Sequence, residues 1–179
     1  MMPQIRPLHG RVRIDGLVLT EDLAYKNGPH LSPKIYEEFW LPYQNPIVRE
    51  VKRHGTGIVC LWTAGNIEAL LPMLMDNGIN CIWCLERGSG MDPVALRKKY
   101  GQSLLLGGGI PKEALIQGRA AIDREIASLL PLIREGGYLP ALMTWCRRKF
   151  HSTRIAILWT PCAQWCRDHK APYPFTRRL

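Results

Sequence analysis

Between Gly57 and Gly109 the chain repeats one phrase: an apolar strand, a polar strand end, a helix and a glycine turn. GIVCLWT leads into the amphipathic NIEALLPMLMDNG, INCIWCLE leads into MDPVALRKKYG, and SLLLGGG opens a third round. Parallel neighbours need a crossover long enough to be a helix, and the segments between these strands have that length. The pattern therefore predicts parallel β/α architecture. Chemistry in such folds sits at the carboxyl ends of the strands. The residues to weigh are those just past each apolar run: Thr63, Asn66, Glu86, Arg87 and the glycines Gly107, Gly108 and Gly109.

The same grammar extends to both sides. Residues 15–23, DGLVLTEDL, read as a further strand that ends in Glu21 and Asp22. A loop with Asn27, Gly28 and Pro29 follows. Ser32-Pro33 then starts a helix, with serine as N-cap and proline at the first helical position. That helix is expected to run to about Arg53, with Pro42 or Pro46 as points of interruption, and to stop at His54-Gly55. Residues 111–135 carry Ala114, Leu115, Ile122, Ile126, Leu129, Leu130 and Ile133 at helical spacing, with a break near Gly118. GGYLPAL, 136–142, reads as a last short strand. The total is five strands and about four helices. A closed eight-stranded barrel needs roughly 200 residues or more, so two architectures stay open: an open α/β sheet, or a piece of a barrel.

Composition narrows the setting. A chain of 179 residues, 46% of them hydrophobic, fits one domain with a real core. No apolar run approaches the roughly 18 residues of a membrane span, and MMPQIRPLHGRVRI lacks the apolar stretch of a signal peptide, so a cytoplasmic chain is expected. The six cysteines then read as reduced thiols. The net charge of +9 suggests nucleic acid, but its distribution argues otherwise. From Leu142 onward eight basic residues face one acid, Asp168, while the first 141 residues hold 16 basic and 14 acidic groups. The basic character is confined to the tail, and neither nucleic acid nor a membrane is expected as a partner.

Several stretches resemble a known family. TEDLAYKNGPHLSP, AGNIEALLPMLMDNGIN, LERGSGMDPVALRKKYG, LLLGGGIPKEAL and EGGYLPAL stand in the order and spacing of the uroporphyrinogen decarboxylase-like family, which also contains cobalamin-dependent methyltransferases acting on thiols. The resemblance covers about residues 15–142. It implies a partial (β/α)8 TIM barrel, the C-terminal half of the family's fold, between an irregular segment at 1–14 and a divergent basic tail at 143–179. In place of the family's acidic residue, Pro-Pro pair and last helix, the tail reads LMTWCRRKFHSTRIAILW. In a shifted frame the codons of Leu142 to Phe150 can encode DDLVPPEV, which is similar to the family ending. The expectation is a frameshift near Leu142, and with it a fragment that self-associates, pairs with a separately encoded N-terminal half, or is the inactive product of a broken gene.

The resemblance implies either cofactor-free decarboxylation of acetate side chains on a tetrapyrrole, a lyase reaction of porphyrin biosynthesis, or methyl transfer with a corrinoid as methyl donor. Asp22 and Glu86 are the catalytic candidates, as carboxylates at strand ends. Glu86 could equally hold a neighbouring loop. The true decarboxylases carry a hydroxyl residue near the position of Asp22, so the acid here favours a related but different substrate. Glu21, Tyr25, Thr63, Asn66, Gly108 and Lys112 are candidates for binding a small-molecule substrate, although Pro111 replaces the aspartate that usually precedes the family's lysine. Members that activate a thiol with zinc carry His-x-Cys-Gly at a strand end. Here the matching positions are Trp62, Thr63, Ala64 and Gly65, so no metal is expected. Cys81 and Cys84 form an isolated C-x-x-C, but residues three apart on a regular strand face opposite ways, which predicts buried free thiols. Gly107 to Gly109 either cradle an anion through backbone amides or serve a tight turn. Trp40, Trp62 and Trp83 either stack on a flat ligand or belong to the core.

Overall fold

The computed structural model describes residues 14–142. The expected irregular N-terminal segment, apart from Ile14, and the tail expected to follow a frameshift lie outside the described residues. Seven strands are described: β1 (Gly16–Thr20), β2 (Ala24–Tyr25), β3 (Gly28–Pro29), β4 (Ile58–Trp62), β5 (Cys81–Leu85), β6 (Leu105–Ile110) and β7 (Tyr138–Leu142). Among them run helices α1 (Pro33–Ile35), α2 (Leu41–Arg53), α3 (Leu71–Asp76), α4 (Pro93–Tyr100), α5 (Lys112–Gln117) and α6 (Arg119–Glu135).

Five strands form one parallel sheet in the order β1-β4-β5-β6-β7. Each lies beside the strand before it in the chain, apart from the small β2–β3 hairpin that the sequence reads as plain loop. A doubly wound sheet reverses its strand order partway. This one never does, and that decides between the two open architectures: the fold is α/β, a partial (β/α)8 barrel of five strands.

Sequence chemistry explains the elements. Ser32 Oγ accepts the Ile35 amide and Pro33 supplies the first helical position of α1. Asp92 does the same for α4, accepting the Val94 and Ala95 amides ahead of Pro93. The expected interruption at Pro42 or Pro46 falls elsewhere. Pro42 sits in the first turn of α2, where no intrahelical amide is needed, and Pro46 is carried inside the helix. The irregularity lies earlier, as a π-helical turn at Tyr36–Trp40. Gly118, at φ +95°, separates α5 from α6 as expected.

The register sorts the sheet into two faces. Leu19, Val59, Leu61, Ile82 and Leu106 share the face covered by helices, in one core with Leu70, Leu71, Leu74, Leu96, Leu115, Ile122 and Leu129. Burying each such side chain contributes about 1.5–3 kcal/mol. The opposite face, the interior side of a barrel, carries two rows. Val18, Cys60, Cys81 and Leu105 form one; Thr20, Trp62, Trp83, Gly107 and Leu139 form the next, nearer the carboxyl ends. No helix of the described residues is long and apolar enough to cross a membrane.

Candidate active site at the carboxyl rim

Because all five strands run the same way, their carboxyl ends share one rim. The structure brings Glu21 and Asp22, Thr63 and Asn66, Glu86 and Arg87, and Lys112 to it, each just past a strand. They do not stand there on equal terms.

Thr63 is only 2% exposed, and its hydroxyl is committed: it accepts the Leu23 amide at 3.1 Å and donates to the Ala64 carbonyl at 3.3 Å. The Asn66 amide nitrogen of the backbone donates to the Tyr25 carbonyl, and its side-chain oxygen accepts the Glu68 amide. Gly65, at φ +77°, lies so close to Ala24 and Tyr25 that a Cβ there would sit 2.5 Å from the Ala24 carbonyl oxygen. These residues fasten the loop after β1 and the β2–β3 hairpin to the β4 end. The hairpin in turn presents the exposed Tyr25.

What that fastening holds out to solvent is Asp22. Its side chain is 83% exposed, and the His30 Nε2 lies 3.8 Å from its Oδ1. Glu21 is half-buried and accepts a 2.9 Å hydrogen bond from Gln44 Nε2, a residue of α2. Gln44 is a positioning residue that no sequence motif marks, since it lies 23 positions away. Its other side-chain atom, Oε1, is buried without a hydrogen-bond partner, as is Trp40 Nε1 one turn earlier.

Glu86 accepts from the Ser89 hydroxyl at 3.0 Å, and its carbonyl accepts the Ser89 and Met91 amides. Arg87 bridges Asp92 at 2.9 Å and Glu125 at 2.6 Å, joining the β5 end to the N-cap of α4 and to α6. The β5 end is thus knitted mainly to its own loop and helices. Lys112 is exposed beyond β6. The Gly108 carbonyl accepts the Tyr138 hydroxyl at 2.8 Å.

The glycine run serves close packing. A Cβ at Gly107 would collide with the Trp83 ring, and one at Gly109, φ +83°, would meet Pro93 Cγ at 2.9 Å. Trp40 packs edge-on against Tyr36, ring centroids 6.4 Å apart. Two clefts, of about 480 and 390 Å³, lie away from the rim. The first is lined by α2 and the α3 end, including Val48, Lys52 and Asn77, and the second by α4 and α6.

At the β4 end, Trp62, Thr63, Ala64 and Gly65 offer neither imidazole nor thiolate, and the one hydroxyl is spent on backbone. Among the described residues no three His, Cys, Asp or Glu side chains are disposed to hold a metal ion. That donor set does not fit a catalytic zinc.

The model of one family, uroporphyrinogen decarboxylase (URO-D), matches residues 16–142, the same stretch that forms the parallel sheet and its helices. The chain belongs to the uroporphyrinogen decarboxylase family. No curated protein matches it. Within the family fold, the β1 and β4 ends supply an exposed carboxylate on a pinned loop, and the β5 end supplies a braced one.

Proposed function

We propose that the rim takes part in a carboxy-lyase reaction on the acetate side chains of a tetrapyrrole or of a closely related polycarboxylate. The observation that carries this reading is Asp22, a solvent-facing carboxylate on a loop fixed by Thr63 and Gly65. Loss of carbon dioxide from such a side chain is assisted by protonating the ring. The electron pair of the breaking carbon–carbon bond then neutralises the ring cation. A fixed carboxylate beside the ring stabilises that cation in the transition state. Asp22 has that charge and that fixed mount. Lys112, exposed past β6, is a cation suited to the substrate's other carboxylates. Glu21, braced by Gln44, and the exposed Tyr25 follow the same strand.

The test is anaerobic carbon dioxide release from uroporphyrinogen by the full chain, alongside Asp22→Asn. This isosteric change removes the charge and keeps the loop. The expected result is release by the natural chain and a loss of roughly 10²–10⁴-fold in the variant. Unchanged release by the variant, or neither release nor tetrapyrrole binding by the natural chain, overturns the reading.

A further inference from the structure

Below the tryptophan row, the interior face of the sheet brings two thiols together from adjacent strands. Cys60 of β4 and Cys81 of β5 are register partners, 21 residues apart in sequence and side by side in the sheet. Parallel neighbours lie about 4.8 Å apart, inside the Cα separation of roughly 4.4–6.8 Å that a disulfide spans. Period-two alternation points both side chains to the same face, away from the helices. The two thiols act on each other, the interaction raising the Cys60 thiol and lowering that of Cys81.

Cys84 completes the group in a different way. The β5–β6 register slips between Trp83 and Leu85, and Cys84 is the extra residue, at φ +85°. This bulge undoes the alternation that would turn Cys84 away from Cys81. Its sulfur accepts a hydrogen bond from Trp62, and its charge acts on the Cys60 thiol. Three thiols therefore share one apolar patch, yet they are not disposed to hold a metal ion. Only one pair is in register.

We propose that Cys60 and Cys81 form an oxidisable dithiol that closes to a cross-strand disulfide under a small peroxide. This goes beyond the decarboxylase reading and does not depend on it. In the first step the Cys81 thiolate attacks one oxygen of hydrogen peroxide. The O–O bond breaks, water leaves after proton transfer, and Cys81 carries a sulfenic acid. In the second step the Cys60 sulfur attacks the sulfenic sulfur, the S–O bond breaks, and a second water leaves with the Cys60 proton. Two thiols lose two hydrogens and the peroxide is reduced to two waters. The interaction with Cys60 lowers the Cys81 thiol and raises that of Cys60, which makes Cys81 the attacking sulfur. Burial holds the Cys84 thiol protonated up to about 11, so it stays a bystander. Peroxide reaches the pair from the β1 edge, where Val18, the register neighbour of Cys60, is 57% exposed. It is small enough to enter between side chains that exclude larger reagents.

The experiment treats the folded full-length chain with hydrogen peroxide, alkylates remaining thiols after denaturation, and maps peptides by mass without reduction. The expected product is a Cys60 peptide joined to a Cys81 peptide with loss of two hydrogens, released by dithiothreitol. It is retained in Cys84→Ser and in a triple serine variant of Cys146, Cys162 and Cys166. The map of the natural chain needs no variant of the pair, so a folding defect in Cys60→Ser cannot obscure it. A bridge from Cys84 to either partner, sulfinic acid at Cys81 with no bridge, or thiols that oxidise only after denaturation overturns the proposal.

Discussion

Cys84 is the one non-glycine residue among those described with a left-handed backbone, and it is buried. Its position costs local strain of about 1–3 kcal/mol that the surrounding sheet must hold. Desolvation pushes its thiol up from 9.0 to about 11, only partly offset by the Trp62 hydrogen bond. The unfolded chain gives up that proton at the ordinary value and the folded chain does not. Its contribution is therefore intact below about pH 9 and is lost as pH rises through about 11. Urea midpoints of the natural chain are expected to fall across that window, with a smaller fall in Cys84→Ala. An identical slope in the two would refute the assignment. Nothing in the C-x-x-C spacing announces the bulge, since regular alternation predicts opposite faces. The slip in register falls between β5 and β6, beside the point where the Trp83 ring lies over Gly107. Gly107→Ala is accordingly expected to destabilise by roughly 1–3 kcal/mol in thermal or urea unfolding, through overpacking rather than lost function.

At the scale of elements, the buried cation Arg97 does the most joining. From α4 it donates to the Gly101 and Leu104 carbonyls before β6 and to the Gly136 carbonyl before β7, at 2.6, 3.2 and 2.9 Å. It is 7% exposed, and its Nε lies 3.8 Å from Glu135. In sequence it is one of the basic residues of LRKKY, and its neighbours Lys98 and Lys99 are solvated, as a helix end should be. Only the folded chain brings the two later turns to it. Arg97→Met keeps the volume and strands three carbonyls, so a loss of roughly 2–4 kcal/mol is expected. A melting temperature unchanged within error would contradict that. The Ser32 and Asp92 caps, by contrast, are legible from a few adjacent letters because their bonds close within three residues.

For the whole molecule, the sequential strand order leaves β1 and β7 each with one side unpaired by any other described strand. It also leaves an interior face that no described helix covers. Unpaired strand edges and half-covered apolar faces favour association. The full chain is expected to sediment as a dimer or larger species at micromolar concentration and to bind a hydrophobic dye. A compact monomer that binds none would show both features to be covered. The rim at the carboxyl ends belongs to this scale as well. Asp22, Glu86 and Lys112 come from three strands and share one rim only because all the sheet strands run the same way.

The alternation of apolar runs and helical spacings by itself determined the parallel β/α class, the positions of the five sheet strands and the candidates at their ends. Those signals are local, set by side-chain period and by caps and breakers within a turn. Tertiary structure decided what spacing left open. It fixed one-directional winding instead of a doubly wound sheet, and it showed that Thr63 and Asn66 fasten a loop while Asp22 stays exposed beside His30. It also brought Gln44 to Glu21 and set Cys60 beside Cys81. Each of these rests on contacts between residues more than about twenty positions apart, whose pairing follows from how helices and strands fill a common core.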